Sequence, residues 1–372
     1  MAKVVAHLIT GLSKGGAETM LYQVLKYRSD AELQYKVISL GGGQYYEELI
    51  RELGYVVVEL AFLKKPVFST IRLCREIKNA DTLCCWMYHA NLVGFLAGRC
   101  TGVPRIVWCV RHSDLSPAHN KARTLCINRI CARLSKKVTT ILYNGNRARL
   151  VHEAMGYCPE NGFVVDNGCD SDEYAPDESA RDSFRKELGI QADNPLVLSV
   201  TKDTPIKDVP TFLKAISLLR KNNDKIFAVL CGPGVDNNST QLAELCQALG
   251  LKQGRDVAFL GMRHDVPRLL AACDLYVLHS AGEAFPNALI QAMSCGCLCI
   301  TTDVGDARRI INNDEFVVPP EDSERLARKI DQVLQLSDEG KETIKRDNRE
   351  RAKTEFNIKC IVKKYEAFFD HD

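Results

Sequence analysis

Short apolar runs alternate along the chain with longer stretches in which apolar positions recur every three to four residues. Residues 4–9, 37–40, 56–60, 83–86, 106–110 and 138–142 read as strands, and residues 17–27, 45–53, 91–97 and 121–134 as helices between them. Strands spaced by helices of that length specify βαβ units and a parallel sheet. The pattern pauses at Asn167 and Gly168 and over the polar, proline-bearing residues 171–183, which read as a linker. It then restarts, with strand signals at 196–200, 227–231, 257–260, 275–278 and 298–301. From Ser323 onward the chain reads as helical and highly charged. Its last helix, near 358–369, carries Ile361, Tyr365 and Phe368 at helical spacing. That face must pack on something, and the first domain is the expected target. The expected architecture is α/β, with two doubly wound Rossmann-like domains over residues 1–170 and 171–354 and a C-terminal helix over 355–372. Ligands in such sheets sit beyond the carboxyl ends of the strands, so chemistry is sought in the loops there, with the cleft between two facing domains as the default site.

Composition narrows the class further. The 372 residues are 46% hydrophobic and 26% charged, which excludes disordered and low-complexity architectures. A balance of 49 basic against 47 acidic side chains excludes a generally basic nucleic-acid binder. The sixteen cysteines form no C-x-x-C pair, and Cys295, Cys297 and Cys299 alternate along what reads as a strand. Free thiols in a reducing cytosol are expected. The apolar run at the start of the chain is closed by Gly11 with no cleavage pattern behind it, so no secretory signal is read there. Seventeen residues without formal charge lie between Asp81 and Arg99, but they include His89, Asn91, Gly94 and Gly98. A buried strand–loop–helix fits them better than a membrane span.

Three loops after strands carry candidate chemistry. Gly11-Leu12-Ser13-Lys14-Gly15-Gly16-Ala17-Glu18 joins the first strand to a helix. Its adjacent glycines and the helix N-terminus would suit a phosphate, or simply make a tight turn. It is neither a P-loop nor the G-x-G-x-x-G fingerprint, which disfavours a Rossmann oxidoreductase. In the second half, Lys202 and Lys207 stand five residues apart on one loop and could neutralise a diphosphate without a metal. The stretch from His279 to Met293 follows a strand and opens a helix at Pro286 and Asn287, with Glu283 before it and Gln291 one turn inside. Glu283 could accept hydrogen bonds from hydroxyls, or cap the helix.

Together these landmarks resemble the retaining glycosyltransferases of the two-domain GT-B fold, group-4 family. Glu283 to Gln291 is similar to the family's E-x7-E signature, with Gln291 in place of the second Glu. Gly15-Gly16-Ala17-Glu18 resembles its glycine loop, and Val165-Asp166-Asn167-Gly168-Cys169-Asp170 its interdomain P-N-G-V-D. Lys207-Asp208 resembles its K-D, and Val304-Gly305-Asp306 its D-V-G turn. The resemblance implies sugar transfer from a nucleotide diphosphate with retention at the anomeric carbon. It implies an acceptor side in the first domain, a donor side in the second, and neither metal nor cofactor. By matching position, Lys202 and Lys207 would hold the diphosphate opposite the Gly15 and Gly16 amides, and Glu283 would contact the sugar. Amides near Phe285 and Asn287 would serve sugar or phosphate, and Gln291 the ribose. Gly232 and the Gly261–Arg263 backbone would lie near the nucleobase and ribose, and His112 near the transferring centre. A UDP-sugar is favoured over a GDP-sugar. His89 is as readily a buried structural histidine, and His7 is read as structural.

Two departures from the family stand out: Lys202 replaces an Arg, a point charge for a bidentate fork, and Gln291 replaces a carboxylate. They motivate one alternative, a catalytically weakened partner subunit. A nucleotide-sugar epimerase on the same fold is the other. From Lys121 to Lys137 there are six basic residues, both ends included, and no acidic one, with Ile127, Ile130, Cys131 and Leu134 forming an apolar stripe. This helix reads as a domain helix with a solvated basic face, and also as a route to peripheral contact with anionic lipid. The resulting expectation is a cytoplasmic enzyme at the inner membrane face, acting on a glycan or lipid-linked acceptor in surface polysaccharide or lipopolysaccharide synthesis, with no nucleic-acid partner.

Overall fold

The computed structural model describes residues 2–13, 15–41, 45–117 and 120–370. Lys14 of the glycine loop lies outside the described residues. Two compact units emerge, Met1–Gly168 with Ile358–Asp372, and Cys169–Asn357.

The first unit runs β1 (Lys3–Ile9), α1 (Gly16–Lys26), β2 (Leu33–Ser39), α2 (Tyr45–Glu52), β3 (Val57–Glu59), α3 (Pro66–Ile77), β4 (Thr82–Trp86), α4 (Tyr88–Thr101), β5 (Arg105–Val110), α5 (Ala122–Leu134), β6 (Thr140–Tyr143), α6 (Asn146–Met155) and β7 (Gly162–Val164). Its strands form one sheet in the order β3-β2-β1-β4-β5-β6-β7, with every pairing parallel. All five residues of β4 are buried, as a strand covered by helices on both faces requires. One face packs on α3, α4 and α5 through Leu73, Ile77, Phe95 and Cys131. The other packs on α1 and α2 through Val24, Leu25 and Ile50.

The second unit runs α7 (Glu178–Leu188), β8 (Leu196–Val200), α8 (Val209–Arg220), β9 (Phe227–Cys231), α9 (Thr240–Ala248), β10 (Val257–Phe259), α10 (Val266–Ala272), β11 (Leu275–Leu278), α11 (Asn287–Ser294), β12 (Leu298–Thr302), α12 (Ala307–Ile311), β13 (Val317–Val318), α13 (Ser323–Leu334) and α14 (Asp338–Glu355). Its parallel sheet repeats the order, β10-β9-β8-β11-β12-β13. Each unit is a Rossmann-like α/β fold whose strand order reverses beside its first strand, β1 or β8.

The last helix, α15 (Ile358–Asp370), belongs to the first unit. Ile358, Ile361, Val362, Tyr365 and Phe369 are buried in the core that α1 and α2 share. Tyr365 stacks on Trp86 at 5.9 Å, and the buried Glu366 accepts from the Ser29 N–H at 2.8 Å. Phe368 sits nearer the surface, against Phe163 at 5.1 Å.

Three sequence readings need correction. The stretch 171–183 is not all linker: α7 starts at Glu178, capped by Asp177, whose carboxylate accepts from the Ser179 and Ala180 N–H groups. A polar, proline-bearing run hid a capped helix start. Cys295, Cys297 and Cys299 do not alternate along one strand. Cys295 ends α11, Gly296 turns the chain at φ +74, and only Cys299 lies within β12. The sequence reading also passed over α3, α6, β7 and β13. All sixteen cysteines are free thiols. Residues 82–98 form β4 and most of α4, and no helix among the described residues is long and apolar enough to cross a membrane.

Candidate functional site

In the second unit, the loops at the carboxyl ends of the strands are tied together by their main chains. After β8, the Thr201 N–H donates to the Cys231 carbonyl at 2.8 Å, and Asp203 N–H to Pro233 at 3.0 Å. After β9, Gly232 N–H donates to Gly261 at 2.8 Å. Gly232 has φ +142 and presses on the Thr201 carbonyl, leaving no room for a Cβ. Only glycine meets both demands. The loop after β11 is clamped from both sides. Ala281 N–H donates to Ile206 at 2.9 Å, and Asp306 N–H to Ala284 at 3.1 Å. Gly305, at φ +56, lies where a Cβ would stand 2.6 Å from the Glu283 and Ala284 carbonyls.

This frame holds Glu283. Its carboxylate pairs with the Lys207 ammonium and accepts from Ser280 Oγ at 2.8 Å. Ser280 is itself fixed, because Thr302 Oγ1 donates to its carbonyl at 2.7 Å. Lys207 ends a short 3-10 turn, Pro205–Lys207, before Asp208, which adopts φ +51 and accepts from the Thr211 N–H to cap α8. Beneath the pair His279 is fully buried and stacked on Phe212 at 4.9 Å, and burial pushes its pKa down to about 4. It is a neutral packing element under the charged pair.

The other residues singled out in this unit are placed as follows. Lys202 is exposed on the rim, whereas Lys207 is half-buried against Glu283, so the two lysines face different surroundings. The Arg263 guanidinium is committed to Asp265, at 2.7 Å to each oxygen, and to Glu187 at 2.9 Å. Those hydrogen bonds raise the Arg263 pKa and hold the Asp265 carboxyl down at about 2. What Arg263 can offer a ligand is its backbone. The Phe285 ring is buried against Phe356 at 5.8 Å, so its backbone too is what faces outward chemistry. Pro286 precedes α11 and has no N–H, so the first-turn amides begin at Asn287, and that of Leu289 donates to the Pro286 carbonyl at 3.1 Å. Gln291 is partly buried on the second turn of α11.

In the first unit, the ends of β1, β4 and β5 surround a cavity of about 410 Å³. Its walls include Gly16 and Glu18 of α1, Met87 and His89 at the start of α4, and Arg111 and His112 after β5. Gly15 is extended, at φ −168, and its carbonyl accepts from the Thr19 N–H at 2.9 Å. Among the described residues, a Cβ on Gly16 would meet no atom within 4 Å. Any need for glycine there comes from what enters the cavity. Burial raises the Glu18 pKa, and its own backbone hydrogen bond and then the Arg111 charge oppose that rise. Arg111 is anchored by donating to Tyr365 Oη at 2.6 Å and to Asn167, and it lies over the Trp86 ring. Burial, then the Arg123 charge, lowers the His89 pKa. The structure thus brings Gly16, His89 and His112 to one cavity.

Glu18, Arg111 and Ser280 went without roles in the sequence reading. Glu18 and Ser280 stand inside stretches that it quoted, and Arg111 directly precedes His112, which it assigned. Among the described residues, no group of three or more His, Cys, Asp or Glu is arranged to hold a metal ion. Chemically, the second unit offers a fixed carboxylate–ammonium pair beside helix-start amides, and the first a roomy pocket with titratable walls.

Residues 180–351 match the family described as Glycosyl transferases group 1. The chain is 28% identical to the N,N'-diacetylbacillosaminyl-diphospho-undecaprenol alpha-1,3-N-acetylgalactosaminyltransferase of Campylobacter jejuni, with 96% of this chain and 97% of the relative covered. It is 26% identical to the UDP-Gal:alpha-D-GlcNAc-diphosphoundecaprenol alpha-1,3-galactosyltransferase of Escherichia coli, covering 82% and 79%. Among solved structures, Anabaena Alr3699/HepE in complex with UDP and glucose superposes with a TM-score of 0.84 at 23% identity, covering 98% of both chains. Residues 180–351 of the second unit are thus similar to the Glycosyl transferases group 1 family, and the chain as a whole has the GT-B fold of two Rossmann-like α/β domains.

Proposed function

We propose that this chain is a retaining glycosyltransferase. It moves a hexosyl or N-acetylhexosaminyl group from a nucleotide diphosphate, uridine rather than guanosine, to a glycan or lipid-linked acceptor at the inner membrane face. The observation that carries the reading is the Lys207–Glu283 pair, clamped at the strand ends of the unit that matches the family. Two relatives named for sugar transfer to diphosphoundecaprenol-linked substrates support the acceptor class, and the name of one begins with UDP-Gal.

Departure of a nucleoside diphosphate develops negative charge, and pre-positioned cations and amides stabilise it in the transition state. Lys207 is half-buried, so its charge acts through less water than that of the exposed Lys202. A diphosphate arriving at Lys207 would share that ammonium with Glu283, freeing carboxylate lone pairs for sugar hydroxyls. The α11 amides from Asn287 onward, with Gln291 one turn later, would receive the rest of the donor. Gly232 and the backbone of Arg263 would border the base and ribose. In the first unit, Gly15 and Gly16 offer amides at the start of α1, and His112 would approach the sugar. These groups neutralise the leaving diphosphate through the protein's own cations, without requiring a metal.

The test is a panel of UDP-, GDP- and other nucleotide sugars, scored for thermal stabilisation and for nucleoside diphosphate release with undecaprenyl-diphosphate-linked sugars as acceptors. A UDP-sugar should both stabilise and turn over. Stabilisation with no release from any donor would instead support the weakened-subunit reading motivated by Lys202 and Gln291.

A further inference from the structure

One of the helices that the sequence reading passed over, α3, has an unusual outer face. Leu63, Lys64, Lys65, Pro66, Val67 and Phe68 are six consecutive exposed residues leading into α3. Leu63 is 84% exposed, Val67 74%, Phe68 63% and, one turn on, Ile71 49%. On the neighbouring α4, against which α3 packs, Leu96 is 54% exposed. Contiguous large apolar side chains in water mark a contact surface, whereas single ones are ordinary.

The local backbone holds these residues out. Ala61 adopts φ +48, rare for a residue with a Cβ, and its carbonyl accepts from the Lys64 and Lys65 N–H groups at 3.0 and 3.3 Å. Phe62, bonded through its N–H to the Leu40 carbonyl at 2.8 Å, packs on the core, and Leu63 points outward. Pro66 then starts the helix at a position where its missing N–H is no loss. Ser69 Oγ donates to the Leu60 carbonyl and ties the first turn back to the strand end.

Charge identifies what the surface fits. Residues 61–137 carry fourteen Lys and Arg against three Asp and Glu, so the rest of the chain is net acidic although the whole is only +2. Lys64, Lys65, Arg72 and Arg75 are exposed around the apolar residues, and Arg99 is exposed on α4. On α5, Arg123, Arg129 and Arg133 are exposed, as are Lys136 and Lys137 beyond it. The apolar stripe of α5 is used up inside the unit, since Cys131 is buried and Ile127 and Leu134 pack on the same core. The basic helix singled out from sequence can therefore attract an anionic surface but keeps only the partly buried Ile130 of its stripe outside that core. The start of α3 has exposed apolar side chains to insert.

We propose that the 63–71 segment, with Leu96, docks the first unit on an anionic lipid surface. Leu63, Val67, Phe68 and Ile71 enter the acyl boundary, while the lysines between them and the arginines of α3, α4 and α5 engage headgroups. A second copy of the chain is a poorer occupant. A two-fold contact would set this single-sign patch against itself. The position also suits an acceptor held in a membrane. In a parallel sheet, α3 starts at the same edge as the cavity, because both follow strand carboxyl ends. β3 and β4 stand three strand spacings apart, roughly 14 Å. The docking surface rests on exposure and charge alone; only its bearing on the acceptor rests on the glycosyl-transfer reading.

The experiment is co-sedimentation of the full chain with phosphatidylcholine vesicles, with and without phosphatidylglycerol, at low and high salt. Binding is expected only with the anionic lipid and should weaken with salt. The Val67→Glu, Phe68→Glu double variant should lose about tenfold or more of its partitioning at either salt. Lys64→Ser with Lys65→Ser should lose about fivefold per residue at low salt and little at high salt. All four positions are exposed, and melting temperature together with stabilisation by donor nucleotide should be unchanged, which separates this test from that of the activity. Wild-type indifference to anionic vesicles, or full binding by the double glutamate variant, would overturn the proposal. So would a solution dimer that the same variant dissociates, since the patch would then be covered by a second copy.

Discussion

In the second unit the loops after β8, β9, β11 and β12 are joined by main-chain hydrogen bonds, with Gly232 and Gly305 pressed against neighbouring carbonyls. In the first, the loops after β1, β4 and β5 stand around a cavity of about 410 Å³, and side chains such as Glu18, His89, Arg111 and His112 make its walls. Main-chain bonds also join loops of the first unit, Leu40 N–H to Ile9 and Met87 N–H to Cys109 at 2.9 Å, so the two rims differ chiefly in the open space and the side chains that line it. A rim fixed by backbone cannot easily be re-shaped by substitution, which suits a ligand part that stays the same. A rim made of side chains around open space can be re-cut residue by residue, which suits a part that varies. Under the proposed reading, the constant part is the nucleotide diphosphate and the variable part the acceptor.

The sharpest way to break that comparison is Lys207→Ala. Removing a pre-positioned cation from a developing diphosphate charge should lower kcat by about 10²–10³, or roughly 3–4 kcal/mol of barrier. Glu283 keeps its Ser280 hydrogen bond, so the unit should still fold. In the first unit, His112→Ala should depress turnover more than nucleotide binding. Steady-state diphosphate release and calorimetric affinity read the two effects apart. An unchanged kcat in Lys207→Ala would remove the pair from the reaction.

Next in size is a contrast between two glycines. Gly232→Ala forces a Cβ into the Thr201 carbonyl at a φ of +142. It should cost about 3 kcal/mol or more of stability in the second unit. Gly16→Ala meets no atom of the described residues, and at the start of α1 it should leave the melting temperature within a few degrees of wild type. Its effect belongs to ligand binding. A loss of stability in Gly16→Ala as large as that in Gly232→Ala would show that the first rim is as tightly built as the second.

The ease with which these features could be read from sequence follows the same divide. β8, β9 and β11 were legible to the residue, because strands buried on both faces are short continuous apolar runs with polar ends. Glu283 and Lys207 were legible as residues, but their pairing across 76 positions was not, since nothing local in the sequence records it. α3 was missed for a physical reason. Val67, Phe68 and Ile71 put apolar side chains on its outer face while Leu73 and Ile77 fill the inner one, so its start does not stand out from the apolar run before it. α7 was missed because its capping Asp177 stands in a run rich in turn formers. A helix with apolar side chains added on its outer face, or one whose cap resembles a loop, is hard to delimit from sequence even where its inner face is regular.

Acid should separate the units by a smaller margin. Burial lowers His7 to about 3 and His152 to about 4 in the first unit, and His279 to about 4 in the second, against 6.5 for a free side chain. The unfolded chain takes up protons at these sites below pH 6.5 and the folded chain does not. Stability is therefore full above 6.5 and falls as pH drops toward 4. Each group contributes on the order of 2–3 kcal/mol across that window. With two such histidines the first unit should weaken more steeply than the second. His279→Gln should flatten the dependence of melting temperature on pH for the second unit alone. A slope unchanged by that substitution would mean that His279 titrates normally and is reached by water.

The smallest expected effect tests the α11 side of the second rim. Gln291 stands one turn inside a helix whose first-turn amides face the loop of Glu283. An amide there can pair with a ribose diol through one acceptor and one donor. A carboxylate can accept from both hydroxyls, and bonds to a charged group are stronger by about 1 kcal/mol. The N-terminal end of the helix adds a favourable field for the negative charge. Gln291→Glu should therefore tighten nucleoside diphosphate binding about fivefold by calorimetry while leaving kcat close to wild type. Because the gain needs a diol within reach of position 291, unchanged affinity would move the nucleotide off α11. The backbone-fixed rim would then be serving phosphate and sugar alone.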